Sequence, residues 1–330
     1  MVALAVTYPR WYTLVHRGVS VMVRVLSGSA AGTILCLGKF DALHRGHQAL
    51  LQAAAELGPP SMLHLSGMAE VLGWEPRPPL VCPGERPAIL GKWSEVLGKE
   101  ICVLRIAFAT VRTLCADDFL AFLHKDLQVG GVVVGEDFRF GHQRRGDVAQ
   151  LQSWAEKHGL PVQVVPMLQE EVPGRGLIPI SSSCIRRALE QGEVDLAAHL
   201  LGRAYRITGR IVRGDGRGRE LGFPTANVAD VANMLPANGV YAAQAVLADG
   251  TSWWAAVNIG YLPSIAQQRQ LSVEAHLLDY SGGDIYDQAM RLDFHAHLRA
   301  ERRFSSLEAL RQQIAIDCQR VREFGNGTRP

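Results

Sequence analysis

The stretch Gly38-Lys39-Phe40-Asp41-Ala42-Leu43-His44-Arg45-Gly46-His47 leaves a short apolar run, Thr33 to Leu37, and opens onto Gln48 to Leu57. In the latter segment Leu50, Leu51, Ala54 and Leu57 recur at helical spacing. A strand that turns through glycine into a helix is the start of a βαβ unit. Downstream, Gly131 to Gly135 carries three consecutive valines and Pro161 to Val165 reads the same way, both as fully buried strands. Strand and helix in alternation predict a parallel sheet with helices on its faces. In such sheets ligands bind beyond the carboxyl ends of the strands, which is where this stretch falls. His44 and His47 are three apart and share a face of the first helical turn, close to the free N–H groups that favour anions. Two imidazoles at a helix N-terminus suit the phosphates of a nucleotide.

The chain is 330 residues long, about twice the usual domain length, and two domains are expected. With 48% hydrophobic and 20% charged residues it can bury real cores. Its 34 basic and 32 acidic residues leave a formal charge of +2, too little for a global field that would attract nucleic acid. The six cysteines, Cys36, Cys82, Cys102, Cys115, Cys184 and Cys318, form no C-x-x-C pair and read as free thiols in a reducing compartment. No apolar run is long enough to span a membrane, so neither membrane nor nucleic acid is expected as a partner. A cytoplasmic location follows. The first forty residues lack Asp and Glu but carry Arg10, Arg17, Arg24 and Lys39, so organelle import or a true start at Met22 is the alternative.

After about residue 203 the texture changes. Arg206 to Val212, Val240 to Leu247, Trp253 to Ile259, Ser272 to Leu278 and Arg291 to His295 are short strand-like runs divided by Gly, Pro and Asn, the rhythm of a small antiparallel barrel. Ser305 and Glu308 read as a capping box for a last helix with Leu307, Leu310, Ile314 and Val321 on one stripe. Ser183 to Leu201 reads as a helix joining the halves.

The H-x-G-H arrangement of His44 to His47 resembles that of the nucleotidyltransferase superfamily. Its partner there is a Ser/Thr-rich turn ending in Arg at the start of a late helix, and Ile180-Ser181-Ser182-Ser183-Cys184-Ile185-Arg186 fits. Alone, the serines would read as an N-cap cluster. Val132-Val133-Val134-Gly135-Glu136-Asp137-Phe138-Arg139-Phe140-Gly141, continuing to Asp147, then resembles the bifunctional riboflavin kinase/FMN adenylyltransferase family. The resemblance implies a flavin site in the adenylyltransferase half made by Asp137, Phe138, Arg139, Phe140, Gly141 and Asp147. It implies ATP contacts by Gly38, Phe40, Asp41, Gly46, Ser181, Ser182 and Ser183, with catalytic parts for His44, His47 and Arg186.

The second half carries the resemblance further. Gly209 to Asn227 reads G-R-I-V-R-G-D-G-R-G-R-E-L-G-F-P-T-A-N, in which Gly214, Gly216, Gly218 and Gly222 allow close approach to phosphate. A glycine-rich arginine loop alone would read as a solvated turn. Pro224-Thr225-Ala226-Asn227 makes it specific, because the Thr hydroxyl and Asn carbonyl are hard oxygens of the kind Mg²⁺ accepts beside phosphates. The resemblance implies ATP contacts at Gly214, Arg219, Gly222, Pro224, Thr225 and Asn227, with Mg²⁺ held by Thr225 and Asn227. On Val273 to Asp279, Val273, Ala275 and Leu277 point one way, Glu274 and His276 the other. The family uses this Glu as base toward the riboflavin hydroxyl, which implies that role for Glu274, with flavin contacts from Asn258, Arg299 and Phe304.

The expected fold is therefore an α/β nucleotidyltransferase domain with a Rossmann-like parallel sheet, followed by a small antiparallel β-barrel riboflavin kinase domain with a C-terminal helix. Expected boundaries are 1–21 for an N-terminal extension, 22–187 for the adenylyltransferase domain, 188–202 for a helical linker and 203–330 for the kinase domain. The implied partners are riboflavin, FMN, FAD and ATP; self-association stays open. A kinase with an inactive adenylyltransferase half and a non-catalytic flavin or nucleotide sensor are the alternatives. Four departures from the family pattern stand out: Ala42 where Gly is usual, His64 to Glu70 in place of a Pro-His-Pro segment, Leu262 and Ser264 in place of Arg and Thr, and Asp287 in place of Gly.

Overall fold

The computed structural model describes residues 10–16, 19–25, 31–214, 216–261 and 271–327. Leu262 and Ser264 lie outside the described residues. The chain forms two compact units: one runs to Arg77 and resumes over Gly84–Pro179, the other combines Pro78–Pro83 with Ile180 onward. No helix among the described residues is long and apolar enough to cross a membrane.

The first unit begins with strands β1 (Arg10–His16) and β2 (Val19–Val25), paired antiparallel. Then β3 (Ile34–Leu37) leads into α1 (Arg45–Leu57), and β4 (Pro60–Ser66) into α2 (Met68–Leu72) and α3 (Arg86–Leu97). Next come β5 (Cys102–Ala107), α4 (Phe108–Val111), α5 (Ala116–Ala121), β6 (Gly131–Gly135), α6 (Val148–His158) and β7 (Val162–Val165). The hairpin of β8 (Gln169–Val172) and β9 (Gly176–Pro179) stands apart from the main sheet.

Strand order in the main sheet is β1-β2-β5-β4-β3-β6-β7, and the five strands from β5 to β7 are parallel. This is the doubly wound order, with β3 the first strand of the parallel set and the sequence of strands reversing beside it. The β3 and β6 loops therefore flank the crevice in which such sheets bind ligands. Apolar clusters cover both faces, one with Leu35, Leu104, Phe119 and Val132, the other with Cys36, Leu51, Met62 and Trp93.

Two expectations change. Strand β7 is half-buried throughout, because it is the sheet's outermost strand. The sequence reading set residues 1–21 aside, whereas β1 and β2 extend the sheet antiparallel to β5.

The second unit opens with α7 (Ser182–Glu190) and α8 (Val194–Leu201), separate helices where one was expected. Gly192, at φ +77°, turns the chain between them. The barrel is closed in the order β10 (Tyr205–Val212), β11 (Ala226–Ala229), β14 (Leu271–Leu277), β13 (Ser252–Tyr261), β12 (Gly239–Val246), β15 (Ala289–Arg299). Burial alternates along β10, β13 and β14, so every second residue fills the interior. Between β10 and β11 lies α9 (Arg217–Glu220).

Helix α10 (Leu307–Gly325) packs outside the barrel, with Cys318 and Val321 against Ala242 and Leu278. Its N-cap is Ser306, which accepts from Ala309 N at 3.1 Å, rather than Ser305. Leu307, the first residue of the helix, is 73% exposed and takes no part in the apolar stripe.

Candidate active sites

Helix α1 starts on an interlocked histidine pair. His44 is the N-cap and its Nδ1 accepts from His47 N at 3.3 Å, while His47 Nδ1 accepts from His44 N at 3.3 Å. An Nδ1 that accepts places the ring proton of a neutral imidazole on Nε2, so both rings take the tautomer in which Nε2 donates. The rings stack at 3.6 Å and 14° and are 7% and 6% exposed. Two donors side by side at a helix N-terminus form a positive, oxygen-seeking edge. Phe40 is buried against this pair, its ring 4.8 Å from that of His47, while Gly38 is exposed and Asp41 half-buried. Arg45 is ion-paired with Glu170 of β8, and Gly46 is half-buried between the histidines. Ala42 is fully buried and outside the left-handed region, which Leu43 takes instead at φ +47°. The methyl of Ala42 is thus accommodated without backbone strain.

The loop after β6 behaves unevenly. Asp137 and Arg139 are exposed and Phe138 is half-buried. Phe140 departs from its expected place in a stacking surface: its ring is 5% exposed and packs in the core beside Phe119 at 5.7 Å. Phe138 stacks on it at 5.7 Å and is the ring left to meet a ligand. Gly141 has φ +72°, and a Cβ there would lie 2.8 Å from the Ala116 backbone, so the glycine is needed to close the loop. Asp147 caps α6 by accepting from Gln150 N at 3.0 Å and lies 3.5 Å from Arg139 Nη1.

Sequence reasoning passed over a group beside Asp41. Arg86, the first residue of α3, donates Nη1 to Asp41 O at 3.2 Å. Burial, reinforced by the Arg86 and Arg105 guanidiniums, holds the His64 imidazole down to about 4. Burial also lowers Arg86, which Asp41 partly offsets. Only strand pairing exposes this group, since its members are far apart in the chain.

The serine turn belongs to the second unit. Ser181 is the N-cap of α7 and accepts from Cys184 N at 3.2 Å. Ser182 is half-buried, Ser183 exposed, and Arg186 reaches Met234 Sδ at 3.5 Å.

On the barrel, register assembles what sequence had scattered. Asn227 of β11 pairs with Glu274 of β14, which pairs in turn with Asn258 of β13. Residues directly opposite share a face, so the three side chains form one row on the barrel's outer surface, all half-buried. Thr225 Oγ1 donates to Glu274 Oε2 at 3.4 Å. His276 Nδ1 donates to Pro224 O at 2.8 Å and its ring meets Phe223 edge-on at 5.5 Å, pinning the Pro-Thr-Ala-Asn segment to β14. Strand alternation had put His276 on the Glu274 face without assigning it this work.

The glycine loop needs its glycines. A Cβ at Gly214 would run into the Asn227 amide, and one at Gly218 would lie 2.5 Å from Phe223 O and 3.1 Å from Thr225 Oγ1. Gly222 takes φ +85°, with Arg219 exposed beside it.

Arg299 and Phe304 are placed differently from the expectation of flavin contacts. Arg299 spends its guanidinium on Asp317 of α10, with Nη2 to Oδ2 at 2.8 Å and Nε to Oδ1 at 3.1 Å. Phe304 lies under Arg299 and Arg302, at 5.6 and 4.9 Å. The Arg299–Asp317 pair ties the C-terminal helix to the barrel. Asp287 occupies the left-handed region at φ +61°, the conformation that explains a glycine preference there, and is held by Arg210 at 3.0 Å. No cluster of three or more His, Cys, Asp or Glu able to hold a metal occurs among the described residues.

Comparison with known proteins places names on both halves. A family model described as FAD synthetase matches residues 27–174, and one described as riboflavin kinase matches residues 201–325. The chain is 38% identical over 297 residues to a bifunctional riboflavin kinase/FMN adenylyltransferase of Pseudomonas fluorescens, covering 87% of this chain and 91% of that one. The protein of the same description from Escherichia coli (strain K12) is 36% identical over 311 residues, 91% and 95% of the two chains. A solved structure of a macrolide-efflux protein from Streptococcus pneumoniae superposes with a TM-score of 0.77 at 25% identity, over 89% of this chain and 95% of that one.

Proposed function

The chain belongs to the family of bifunctional riboflavin kinase/FMN adenylyltransferases, and from that membership we propose which residues carry each step. The enzyme is a transferase that phosphorylates riboflavin to FMN and adenylylates FMN to FAD. ATP is the second substrate of both reactions.

One observation carries the kinase assignment: Thr225, Asn227, Glu274 and Asn258 meet on one outer patch of the barrel, beside a loop in which Gly214 and Gly218 leave no room for a side chain. The riboflavin alcohol is a poor nucleophile at neutral pH, and a positioned carboxylate that takes its proton is worth roughly 10²–10⁴-fold. Glu274 is that base. Its hydrogen bond from Thr225 orients the carboxylate, and Asn227 and Asn258 flank it on the neighbouring strands. The Thr225 hydroxyl and Asn227 carbonyl are the hard oxygens that would hold Mg²⁺, which would supply neutralisation of charge on the phosphates. His276 holds Pro224 and so keeps both oxygens in place.

FMN needs no base, because its phosphate, with a second pKa of about 6, is already charged at neutral pH. What the second step needs is stabilisation of charge on the α-phosphate and on departing pyrophosphate. His44 and His47 supply paired Nε2 donors at the start of α1. The family resemblance gives the Ser181 turn and Arg186 a part in this step, as hydroxyls and a planar fork of the kind that suits phosphate oxygens. Phe138 offers the flavin a ring face. None of the six cysteines is in a disulfide, which accords with work in the cytoplasm.

Purified protein given riboflavin and ATP, with products resolved by chromatography, is expected to yield FMN and then FAD. Absence of FMN would overturn the kinase assignment. FMN accumulating without FAD would leave a kinase alone, and turnover of neither would leave a sensor.

A further inference from the structure

His64 of β4 lies directly opposite Arg105 of β5 in the parallel register. Side chains in such a pair stand on the same face of the sheet. Two residues earlier on that face, Met62 and Val103 pack in the cluster that holds α1 and α3 against the sheet. His64 and Arg105 extend it to the carboxyl ends of the strands, where the apolar packing gives way. Arg86, at the start of α3, reaches the same region and donates Nη1 to Asp41 O, in the loop that follows β3. Arg105 Nε is buried and has no hydrogen-bond partner among the described residues.

Two guanidiniums taken largely out of water close to one another are unfavourable unless an anion joins them. Asp41 is the acidic residue that acts on Arg86. An arginine fork matches phosphate oxygens in shape and charge, and the crevice beyond these strand ends is where a doubly wound sheet holds its ligand.

We propose that Arg86 and Arg105, beside His64, form an oxyanion pocket at the carboxyl ends of β4 and β5 that holds a phosphate group of the FMN-to-FAD reaction. The proposal rests on the adenylyltransferase reading of this half. Two groups have the required chemistry, the phosphomonoester of FMN and the pyrophosphate that leaves ATP. His64, neutral at working pH, contributes a hydrogen bond and adds no third charge.

The test uses the full chain and the substitutions Arg105→Gln, Arg105→Lys and Arg86→Gln, with inorganic pyrophosphate as calorimetric probe and FMN-to-FAD kinetics alongside. Each glutamine variant is expected to weaken pyrophosphate binding or raise KM for FMN at least tenfold, with Arg105→Lys between it and the parent. A raised KM with unchanged pyrophosphate affinity identifies the FMN phosphate; the opposite pattern identifies the leaving group. Riboflavin phosphorylation by the same samples is expected to stay within twofold. The melting temperature of Arg105→Gln is expected to hold or rise, since an uncompensated charge is removed; a purely structural arginine would lower it. Pyrophosphate affinity, KM for FMN and kcat all within twofold of the parent in both glutamine variants would overturn the pocket. Should the parent itself form no FAD, the adenylyltransferase reading fails separately, and pyrophosphate calorimetry decides the pocket: binding lost in Arg105→Gln supports it, and equal or absent binding overturns it.

Discussion

A carboxylate on a barrel strand is ordinarily a solvent-facing spacer, and what distinguishes Glu274 is its company: a Thr225 hydroxyl at 3.4 Å and asparagines on both neighbouring strands. Glu274→Gln keeps the size and loses the base. FMN formation is expected to fall roughly 10²–10⁴-fold while FMN-to-FAD conversion by the same sample stays near the parent rate. His47→Ala is expected to do the reverse, because it removes an Nε2 donor from the start of α1. If either substitution slowed both steps alike, the division of labour between the sites would be wrong. His64 makes a second, pH-linked prediction. Its folded pKa of about 4 lies below its ordinary 6.5, so the unfolded chain takes up the proton first as pH falls. The stabilising contribution is complete above pH 6.5 and is lost as pH drops toward 4. Thermal midpoints measured across that window should slope upward with pH, and His64→Phe should flatten the slope. An unaltered slope in the variant would place the titration elsewhere.

Among the elements, α10 depends most on a single contact. Arg299 at the end of β15 grips Asp317, whose side chain is only 3% exposed, while Gln313 adds a bond at 2.8 Å. Removing one partner of a buried pair leaves the other charge uncompensated, which typically costs about 3–5 kcal/mol. Asp317→Ala is therefore expected to lower the denaturant midpoint markedly, and Arg299→Met combined with it should recover much of the loss. A double variant no more stable than the single one would show that the pair is not the tether. The same scale explains why two segments were misread. The Ser305 capping box was one residue early: only Ser305 has a Glu three residues on, yet Ser306 takes the cap and accepts from Ala309 N. The 183–201 helix breaks at Gly192, whose φ of +77° lies in the left-handed region and cannot continue a right-handed helix.

At the scale of the molecule, α7 has two claims on it. Its serine turn and Arg186 carry part of the proposed adenylyl transfer, yet its packing groups with the barrel, for example through Ala237 N to Leu189 O at 2.8 Å. A chain ending at Leu201 is expected to retain FAD formation and one ending at Pro179 to lose it. A chain starting at Ile180 is expected to make FMN faster and melt higher than one starting at Arg203, which lacks α8 beneath β15. Chromatography of products and melting curves of the four fragments check this; FAD made by the fragment ending at Pro179 would remove α7 from the reaction.

The periodicity of Thr33 to Leu57, the valine run at β6 and the short runs past residue 203 were enough to read a parallel sheet and a barrel, because burial on both faces and alternate burial leave different local patterns. The histidine pair was legible from its spacing at the start of a helix after a strand, and the Pro-Thr-Ala-Asn oxygens from their chemistry, whereas the part given to Glu274 came from the family resemblance. Contacts across strands have no such local trace. The Asn227-Glu274-Asn258 row, the His64-Arg105 pairing and the commitment of Arg299 to Asp317 join residues from 16 to 47 positions apart. Register and helix docking set them, and those are decided only when the whole chain packs.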